Sequence, residues 1–302
     1  MSISASMVRD LREKTNAGML DCKKALEESQ GNFEAAVEWL RKKGLASAAK
    51  KADRLASEGV VVATVQGKIA ALVEVNSETD FVAKNDNFKV FVADVAQAVI
   101  KNNIADVPAL LEAEITGGKI GEVLKESIAK IGENLVIRRF AKINTTGYVH
   151  SYIHGDGKIG VVVELSAQSG HEAVKTFAND ICLHVAAMNP LALSPDQVPA
   201  EIVAKEKEIL KAKAIEQGKK PEMLDKILAG QINKFLAESC LLEQAFVKNP
   251  DIKVKDYLAE TQKKAGENFS LVQFVRFELG EGLQKKANNF AEEVAAQAAQ
   301  GH

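Results

Sequence analysis

The sequence predicts an α+β fold in which small antiparallel sheets are covered by helices. The first 44 residues show the apolar spacing of short helices, whereas the rest of the chain alternates strand-like and helix-like segments. That rest also contains an imperfect duplication. Gly67-Lys68-Ile69 reappears at 157–159, and Gly132-Glu133-Asn134 reappears at 266–268. Each half is therefore predicted to run strand, strand, helices, strand.

The bulk composition is that of an ordinary soluble protein. Its 302 residues exceed what one hydrophobic core usually serves, so we expect two or more units. A formal charge of −2 gives no general attraction to nucleic acid or to an anionic membrane. The three cysteines are far apart and odd in number, which disfavours disulfides. With no apolar signal segment and no stretch long enough to span a bilayer, the sequence predicts a cytoplasmic protein.

Residues 1–44 are predicted to form a module of three helices, the last of which ends before Gly44. Residues 45–57 are predicted to form a basic linker. The surrounding stretch 41–54 carries six Lys or Arg against one Asp. Because no aromatic residues are interleaved there to stack on bases, we expect a solvated, partly helical linker and no direct binding of nucleic acid.

Residues 58–145 and 146–280 are predicted to form two related subdomains. In each, two alternating strands precede a helix with apolar residues at helical spacing. The matching sets are Phe88, Phe91, Val92, Val95 and Val99 in the first half, and Val174, Phe177, Ile181, Cys182 and Val185 in the second. A further strand closes each half, so we expect two antiparallel sheets, each covered by helices on one side.

The second half carries a predicted insertion, a helical hairpin at residues 199–238. Two charge-rich helical runs are separated by Gly218-Lys219-Lys220-Pro221, and their apolar residues suit an antiparallel coiled coil. The predicted seam places Ile202, Ile209 and Leu210 opposite Leu224, Ile227, Leu228 and Ile232. This seam either serves the hairpin alone or recruits a second copy to form a homodimer. A C-terminal helix is predicted at residues 281–302.

The most distinctive segment is Thr79-Asp80-Phe81-Val82. It lies between a strand-like run and a helix-like run that starts near Asn85, at a junction where side chains can reach a partner. An acid beside a large apolar ring, both directed outward, would make a wedge for another protein. In the alternative interpretation, Phe81 packs back as a hydrophobic staple while Thr79 or Asp80 caps the next helix. The pattern alone favours this alternative, because capping at such junctions is common.

Several patterns typical of enzymes are present but incomplete. Residues 155–160 fit G-x-G-x-x-G, but a strand rather than a helix follows them, which favours a hairpin turn over a cofactor loop. His150 and His154 share one face of a predicted strand, without an evident third metal ligand. No P-loop, catalytic triad, Cys-His pair or carboxylate pair stands out by spacing. We therefore expect no catalytic residue, cofactor or metal.

Three segments together resemble the bacterial translation elongation factor Ts family: residues 11–26, residues 74–84 and residues 130–134. They occur in the family's order and at its spacings, and the resemblance extends from about Ser4 to beyond Phe290. It implies a guanine-nucleotide exchange factor for elongation factor Tu. It also implies that the opening helices are a ubiquitin-associated-like module and that the insertion is the family's protruding coiled coil.

The resemblance implies roles for individual residues as well. Residues 79–82 would displace magnesium from elongation factor Tu, which the chain would bind in both its GDP-bound and its nucleotide-free form. The positions that match partner contacts are Met19, Leu20, Lys23, Ile131, Gly132, Asn134 and His154. Two other classes stay open on the sequence: an interaction protein that binds without driving exchange, and a small-molecule enzyme that uses the strand histidines and the glycine turn.

Overall fold

The computed structural model describes residues 3–15, 17–219 and 221–284. Helices and small antiparallel sheets occur together along the chain, which confirms the α+β class. The helices are α1 Ala5–Thr15, α2 Met19–Glu28, α3 Phe33–Lys51, α4 Asp80–Ala83, α5 Asp86–Lys101, α6 Val107–Leu111, α7 Ile120–Ile131, α8 Glu172–Met188, α9 Ala200–Glu216, α10 Pro221–Ser239 and α11 Val254–Ala265. The strands are β1 Glu58–Gln66, β2 Ile69–Ser77, β3 Glu114–Ile115, β4 Gly118–Lys119, β5 Leu135–Asn144, β6 Tyr148–His154, β7 Ile159–Leu165, β8 Ala245–Phe246, β9 Asn249–Lys253 and β10 Leu271–Glu278.

The first three helices pack around a small apolar core, as the sequence predicts. Asn32 begins α3 by accepting a hydrogen bond from the Ala35 N–H at 3.0 Å. The core consists of Val8, Leu11, Cys22, Ala25, Leu26 and Ala36. So few buried side chains supply little stability on their own, which makes packing against neighbouring elements important for this module.

The prediction that the third helix ends before Gly44 is wrong, because α3 continues through that residue to Lys51. Gly44 faces α7, and a Cβ atom added to it would lie 3.3 Å from the Ala129 Cβ. The glycine therefore allows two helices to approach closely rather than ending one of them. Arg41 of α3 also pairs with Glu122 of α7, at 2.6 Å between Nη2 and Oε2.

Two three-stranded sheets share one topology. Their strand orders are β1-β2-β5 and β6-β7-β10, so in each the central strand pairs with the strand before it and with the strand that closes that half. β6 and β7 are antiparallel, with His154 opposite Ile159 at the end of the hairpin. The apolar sets predicted on the two main helices are buried throughout α5 and α8. The subdomain boundaries proposed from the sequence stay a prediction.

The inserted hairpin is formed by α9 and α10, which pack against each other. Its predicted seam is wrong at two α9 positions, since Ile209 is 52% exposed and Ile202 is exposed as well, whereas Leu210 is half-buried. Val203 instead packs on the cluster of Ala192, Val198 and Cys240 at the base of the hairpin. That contact sets the rotation of α9 and turns the adjacent Ile202 outward. Recruitment of a second copy by this hairpin stays a prediction.

Contacts divide the chain into two units. Within the described residues, the first comprises the chain up to Val60, Val73–Arg139 and 278–284, and the second comprises Val61–Leu72 and Phe140–Phe277. Of the predicted C-terminal helix, residues 281–283 are turn and bend, residue 284 is irregular, and the remainder lies outside the described residues. No helix in the described ranges combines the length and the apolar character needed to cross a membrane.

Candidate functional site

Residues 79–82, called the 79–82 turn below, comprise the N-cap residue and the first three residues of the short helix α4, which follows β2. The side chain of Phe81 is 77% exposed, so the interpretation as a hydrophobic staple is wrong. The cap of the following helix α5 is Asn85, whose side chain accepts hydrogen bonds from two backbone N–H groups of that helix. Neither Thr79 nor Asp80 is needed for that purpose. The turn therefore presents its large apolar ring to solvent.

Lys84 lies close to both the exposed acid and the exposed ring. Its Nζ lies 3.6 Å from Asp80 Oδ2 and 6.0 Å from the centroid of the Phe81 ring. Both charged side chains are mostly exposed, and ion pairs of this kind contribute little to stability. Val82, in contrast, is buried and anchors the turn to the first unit. Val82 thus anchors the turn, whereas the side chains of Asp80 and Phe81 are exposed to solvent and only weakly held.

A carboxylate from another part of the first unit fixes the start of the turn. Glu133 Oε2 accepts a hydrogen bond from the backbone N–H of Thr79 at 2.9 Å, and Oε1 accepts one from its hydroxyl at 2.7 Å. Ser77 donates a further hydrogen bond to the carbonyl of Thr79 at 2.8 Å. The backbone that precedes Asp80 is therefore ordered by three hydrogen bonds.

Gly132 and Asn134 shape the segment that supplies this carboxylate. Gly132 ends α7 with a left-handed φ of 88°, a conformation that favours glycine. Asn134 is only 3% exposed, and its amide nitrogen donates to the carbonyls of Ala52 at 3.2 Å and Arg54 at 2.8 Å. Its backbone N–H donates to Glu78 Oε1 at 2.7 Å. Because its side chain is buried and hydrogen-bonded to these carbonyls, it is not free to contact a partner as expected. We instead infer that Asn134 holds the segment after α7 in place.

A groove of about 570 Å³ adjoins the 79–82 turn. Phe81 and Ile131 line it together with Val90, an apolar side chain that is also largely exposed. Its lining is Phe81, Val82, Asn85, Asn87, Val90, Phe91, Asp94, Thr116, Val123, Ser127, Lys130 and Ile131. The structure thus brings Phe81 and Ile131, two residues expected to contact a partner, to one surface. Exposed apolar groups that adjoin one another are typical of protein-binding surfaces.

The three expected contact residues of α2 are also accessible. Met19 and Leu20 begin that helix, and Leu20 is 82% exposed. Lys23 lies one turn further along and makes only a loose pair with Glu27, at 3.8 Å. None of these three side chains belongs to the small core of the module. The surface of α2 is therefore available for binding.

His154 belongs to the second unit, at the end of β6. It is exposed, and its Nδ1 lies 3.0 Å from the hydroxyl of Tyr152. His150 is half-buried; burial lowers its pKa, and a hydrogen bond with Asn179 opposes that shift. Residues 155–158 form the hairpin turn between β6 and β7, with positive φ at Gly155, so the hairpin interpretation of the glycine pattern is confirmed. Within the described ranges, no group of three His, Cys, Asp or Glu residues could hold a metal ion.

The sequence interpretation missed two residues that shape the site, Glu78 and Glu133. Each carboxylate accepts hydrogen bonds from the loop that contains the other. The available signal was the Gly-Glu-Asn triplet, which recurs in the second half of the chain. A glutamate that recurs after a helix-ending glycine is a candidate for a structural hydrogen bond.

The chemistry of the described residues suits binding better than covalent catalysis. Cys22, Cys182 and Cys240 are all buried, and burial raises the pKa of the Cys182 thiol well above its usual range. A thiol that stays protonated is a poor nucleophile. The 79–82 turn offers an acid and an aromatic ring in a fixed arrangement, which a partner can contact directly.

Comparison with known proteins gives one family. A family model described as elongation factor TS matches residues 78–281. The chain is 56% identical to elongation factor Ts of Bdellovibrio bacteriovorus, over 98% of this chain and 99% of that protein. It is 51% identical to elongation factor Ts of Clostridioides difficile over the same shares. With elongation factor Ts of Nautilia profundicola it shares 49% identity, over 98% of each chain. The chain belongs to the elongation factor Ts family of translation elongation factors.

Proposed function

We propose that this chain is a guanine-nucleotide exchange factor for elongation factor Tu and that it acts in the cytoplasm. It binds Tu carrying GDP, displaces magnesium and promotes release of the nucleotide. The observation that carries the proposal is the 79–82 turn, with an exposed Phe81 beside Asp80, in a member of this family. The process makes and breaks no covalent bond, so the chain acts as a binding catalyst without a cofactor of its own.

GDP is released slowly because the charge of its diphosphate is compensated by groups of the partner. In such partners the nucleotide is held by a phosphate cradle and by a magnesium ion that bridges phosphate oxygens and protein groups. An exchange factor accelerates release only if it binds the magnesium-free or nucleotide-free partner better than the loaded one. Displacing the groups that support the ion removes the charge compensation of the diphosphate. Nucleotide affinity then falls.

Phe81 and Asp80 supply that differential binding in our proposal. The ring inserts between helices of the partner near the magnesium site, where burial of an aromatic side chain stabilises the displaced arrangement. The Asp80 carboxylate competes for polar contacts around the ion. Lys84 must release Asp80 when this happens, which costs little because the pair is solvated.

The other contact residues anchor the complex. Ile131, Gly132 and His154 press on the nucleotide-binding domain of the partner, and Met19, Leu20 and Lys23 bind near its base-binding side. All six are at least partly accessible. Asn134 acts within the chain, by fixing the segment that contains Ile131 and Gly132. The chain makes no direct contact with nucleic acid or membrane in this proposal.

Release of fluorescent GDP from elongation factor Tu tests the proposal. We compare the native chain with the double variant Asp80→Ala/Phe81→Ala and with Leu191→Ala, a matched change at an exposed apolar residue outside the assigned surfaces. We expect strong acceleration by the native chain and by Leu191→Ala, and loss of most of it in the double variant. Acceleration that survives in the double variant would move the mechanism to Ile131, Gly132 and His154.

The rival function is an interaction protein that binds Tu without driving exchange. It predicts a complex in a binding titration but no faster release of GDP. Exchange also requires reciprocity. If binding of this chain lowers the affinity of Tu for GDP by some factor, binding of GDP must lower the affinity of Tu for this chain by the same factor. Equal affinity for loaded and nucleotide-free Tu would contradict the exchange function and support the rival.

A further inference from the structure

Glu133 engages both hydrogen-bond donors of Thr79. One carboxylate oxygen accepts from the backbone N–H at 2.9 Å and the other accepts from the hydroxyl at 2.7 Å. Thr79 is the N-cap residue of α4, yet its side chain makes no hydrogen bond to that helix. Its hydroxyl is used to attach the turn to a carboxylate 54 residues further along the chain. Hydrogen bonds to a carboxylate are shorter and stronger than those between neutral groups.

The attachment is reciprocal. Glu78, the residue before Thr79, accepts a hydrogen bond from the backbone N–H of Asn134, the residue after Glu133, at 2.7 Å. The left-handed φ of Gly132 brings the chain out of α7 in the direction that this exchange requires. A Cβ atom at Gly132 would meet nothing within 4 Å, so backbone conformation rather than space selects glycine. The two loops therefore fix each other through opposite pairs of carboxylate and backbone groups.

The second half contains a related arrangement, in which a glutamate that follows a helix-ending glycine also orders a loop. Gly266 ends α11 with a φ of 66°, and Glu267 follows it. Glu267 accepts hydrogen bonds from the backbone N–H groups of Gln168 at 2.6 Å and Ser169 at 3.2 Å. These residues follow β7, as Thr79 follows β2. Glu267 therefore provides an internal comparison in which the carboxylate orders a loop that has no partner-binding side chains assigned to it.

We propose that Glu133 is a positioning residue for nucleotide exchange, which orders Thr79 so that Asp80 and Phe81 meet the partner from a preformed turn. The proposal rests on the proposed exchange function and adds a residue that touches neither nucleotide nor magnesium. Without the carboxylate, the turn must be ordered when it docks, and that entropy is subtracted from the binding free energy. A neutral amide is a weaker replacement: its oxygen can still accept from the Thr79 N–H and its NH₂ group can donate to the hydroxyl, but both bonds lose the charge of the carboxylate.

The test compares Glu133→Gln with Glu267→Gln in the full chain. We measure release of fluorescent GDP from Tu and amide hydrogen exchange of the peptides that contain residues 78–84 and 167–171. We expect Glu133→Gln to accelerate exchange of the 78–84 peptide and to slow GDP release about tenfold, a change that corresponds to ~1.4 kcal/mol. Glu267→Gln should accelerate amide exchange only at 167–171 and should keep native GDP release.

Substitutions of Thr79 separate positioning from a general loss of structure. Thr79→Ser keeps both donors and should keep native GDP release, whereas Thr79→Val removes only the hydroxyl and should slow GDP release less than Glu133→Gln does. The double variant Thr79→Val/Glu133→Gln should lose less than the sum of the two single effects, because both changes act on the same pair of hydrogen bonds. Additive effects of the two changes would contradict a shared role.

Several results would overturn the positioning role. Unchanged amide exchange at 78–84 in Glu133→Gln would show that the carboxylate does not order the turn. Faster amide exchange with native GDP release would show that order in the turn does not matter. An equal loss of GDP release in Glu267→Gln would show a general structural effect. If the native chain does not accelerate GDP release at all, the exchange function is wrong and the positioning role is wrong with it. If the native chain and Glu133→Gln accelerate GDP release equally, only the positioning role is wrong.

Discussion

Nε of Arg139 lies 2.6 Å from Oε2 of Glu74, a carboxylate with no solvent exposure in the middle of β2. Oε1 of Glu74 accepts hydrogen bonds from Arg138 Nη1 at 2.9 Å and from the backbone N–H of Gly280 at 2.8 Å. Burial raises the pKa of Glu74, but the hydrogen bonds from Gly280 and the two arginines outweigh it and hold the pKa below its usual value. The carboxylate thus joins β2 to β5 and to the segment that follows β10.

Glu74→Gln should destabilise the protein by about 3 kcal/mol, because it keeps the shape of the side chain but leaves two arginines without their shared anion. Urea unfolding of both proteins measures this difference. Glu112→Gln is the matched control, since Glu112 forms an exposed pair with Lys119, and its unfolding midpoint should stay native. Equal midpoints for Glu74→Gln and the native chain would show that the network contributes nothing.

The same carboxylate predicts a loss of stability in acid. The pKa of Glu74 in the folded state lies below 4.5, its ordinary value. Its contribution is therefore complete above about pH 4.5 and is lost as the pH falls through the folded-state pKa. Glu74→Gln should show a smaller decrease over that range than the native chain. Parallel pH profiles for the two proteins would contradict this assignment.

Phe81→Ala should slow GDP release from Tu much more than it weakens the complex with Tu. The ring is proposed to strain the partner, so its removal affects the step in which magnesium is lost. We expect release from the saturated complex to slow about thirtyfold, corresponding to ~2 kcal/mol. Stopped-flow measurements at increasing concentrations of the variant separate the two quantities. A collapse of affinity with fast release per complex would identify Phe81 as an anchor instead.

His184 predicts a second pH dependence, in the second unit. This fully buried ring accepts a hydrogen bond from the Val247 N–H at Nδ1, so its protonated Nε2 donates to Gln244 Oε1 at 2.9 Å. Burial lowers the pKa of His184, and the bond with Gln244 only partly opposes this. Protonation of Nδ1 would place two N–H groups against each other.

Because the folded-state pKa of His184 lies below 6.5, the unfolded chain takes up the proton first. Stability should therefore fall as the pH drops from 6.5 towards the folded-state pKa. His184→Gln should be less stable than the native chain at about pH 7.5 but should lose less stability between about pH 7.5 and pH 5.5. Urea unfolding across this range measures both slopes, and identical slopes would exclude His184 as the titrating group.

Two helical glycines should respond differently to alanine. Gly230 lies in α10 with nothing within 4 Å of an added Cβ, so Gly230→Ala should stabilise the protein by up to ~1 kcal/mol. At Gly44 the added Cβ would lie 3.3 Å from the Ala129 Cβ, so Gly44→Ala should gain less, and Gly44→Val should be destabilising. Thermal unfolding measures all three. A stabilising Gly44→Val would show that α3 and α7 are not closely packed there.

The overall fold could be predicted because its signals are local. Periodic apolar residues mark α5 and α8, and glycines mark the hairpin between β6 and β7, without reference to distant parts of the chain. The errors arise where a residue's role depends on a distant neighbour. Gly44 resembles a helix end until Ala129 is placed beside it. Asn134 resembles a surface residue until the carbonyls of Ala52 and Arg54 are brought to it.

The candidate site was predicted in part, and for a related reason. The sequence pattern favoured a packed Phe81, but the adjacent Val82 takes the buried position. Successive helical residues point about 100° apart, so burying Val82 turns Phe81 outward. The glutamates that order the turn lie in another segment of the chain. Composition and spacing do not indicate which backbone donors a carboxylate will meet.

In the proposed complex, the unbroken α3 also constrains how the protein can meet its partner. A helix of 19 residues is about 28 Å long, and this one contacts both α2 and α7. A flexible tether would let two binding surfaces engage in separate events, coupled only by effective concentration. A stiff rod fixes the distance between its ends, so the α2 surface and the rest of the first unit arrive together. A partner that meets the α2 surface in the wrong orientation then cannot bind the rest of the first unit either. Both surfaces must therefore fit the partner in one binding step.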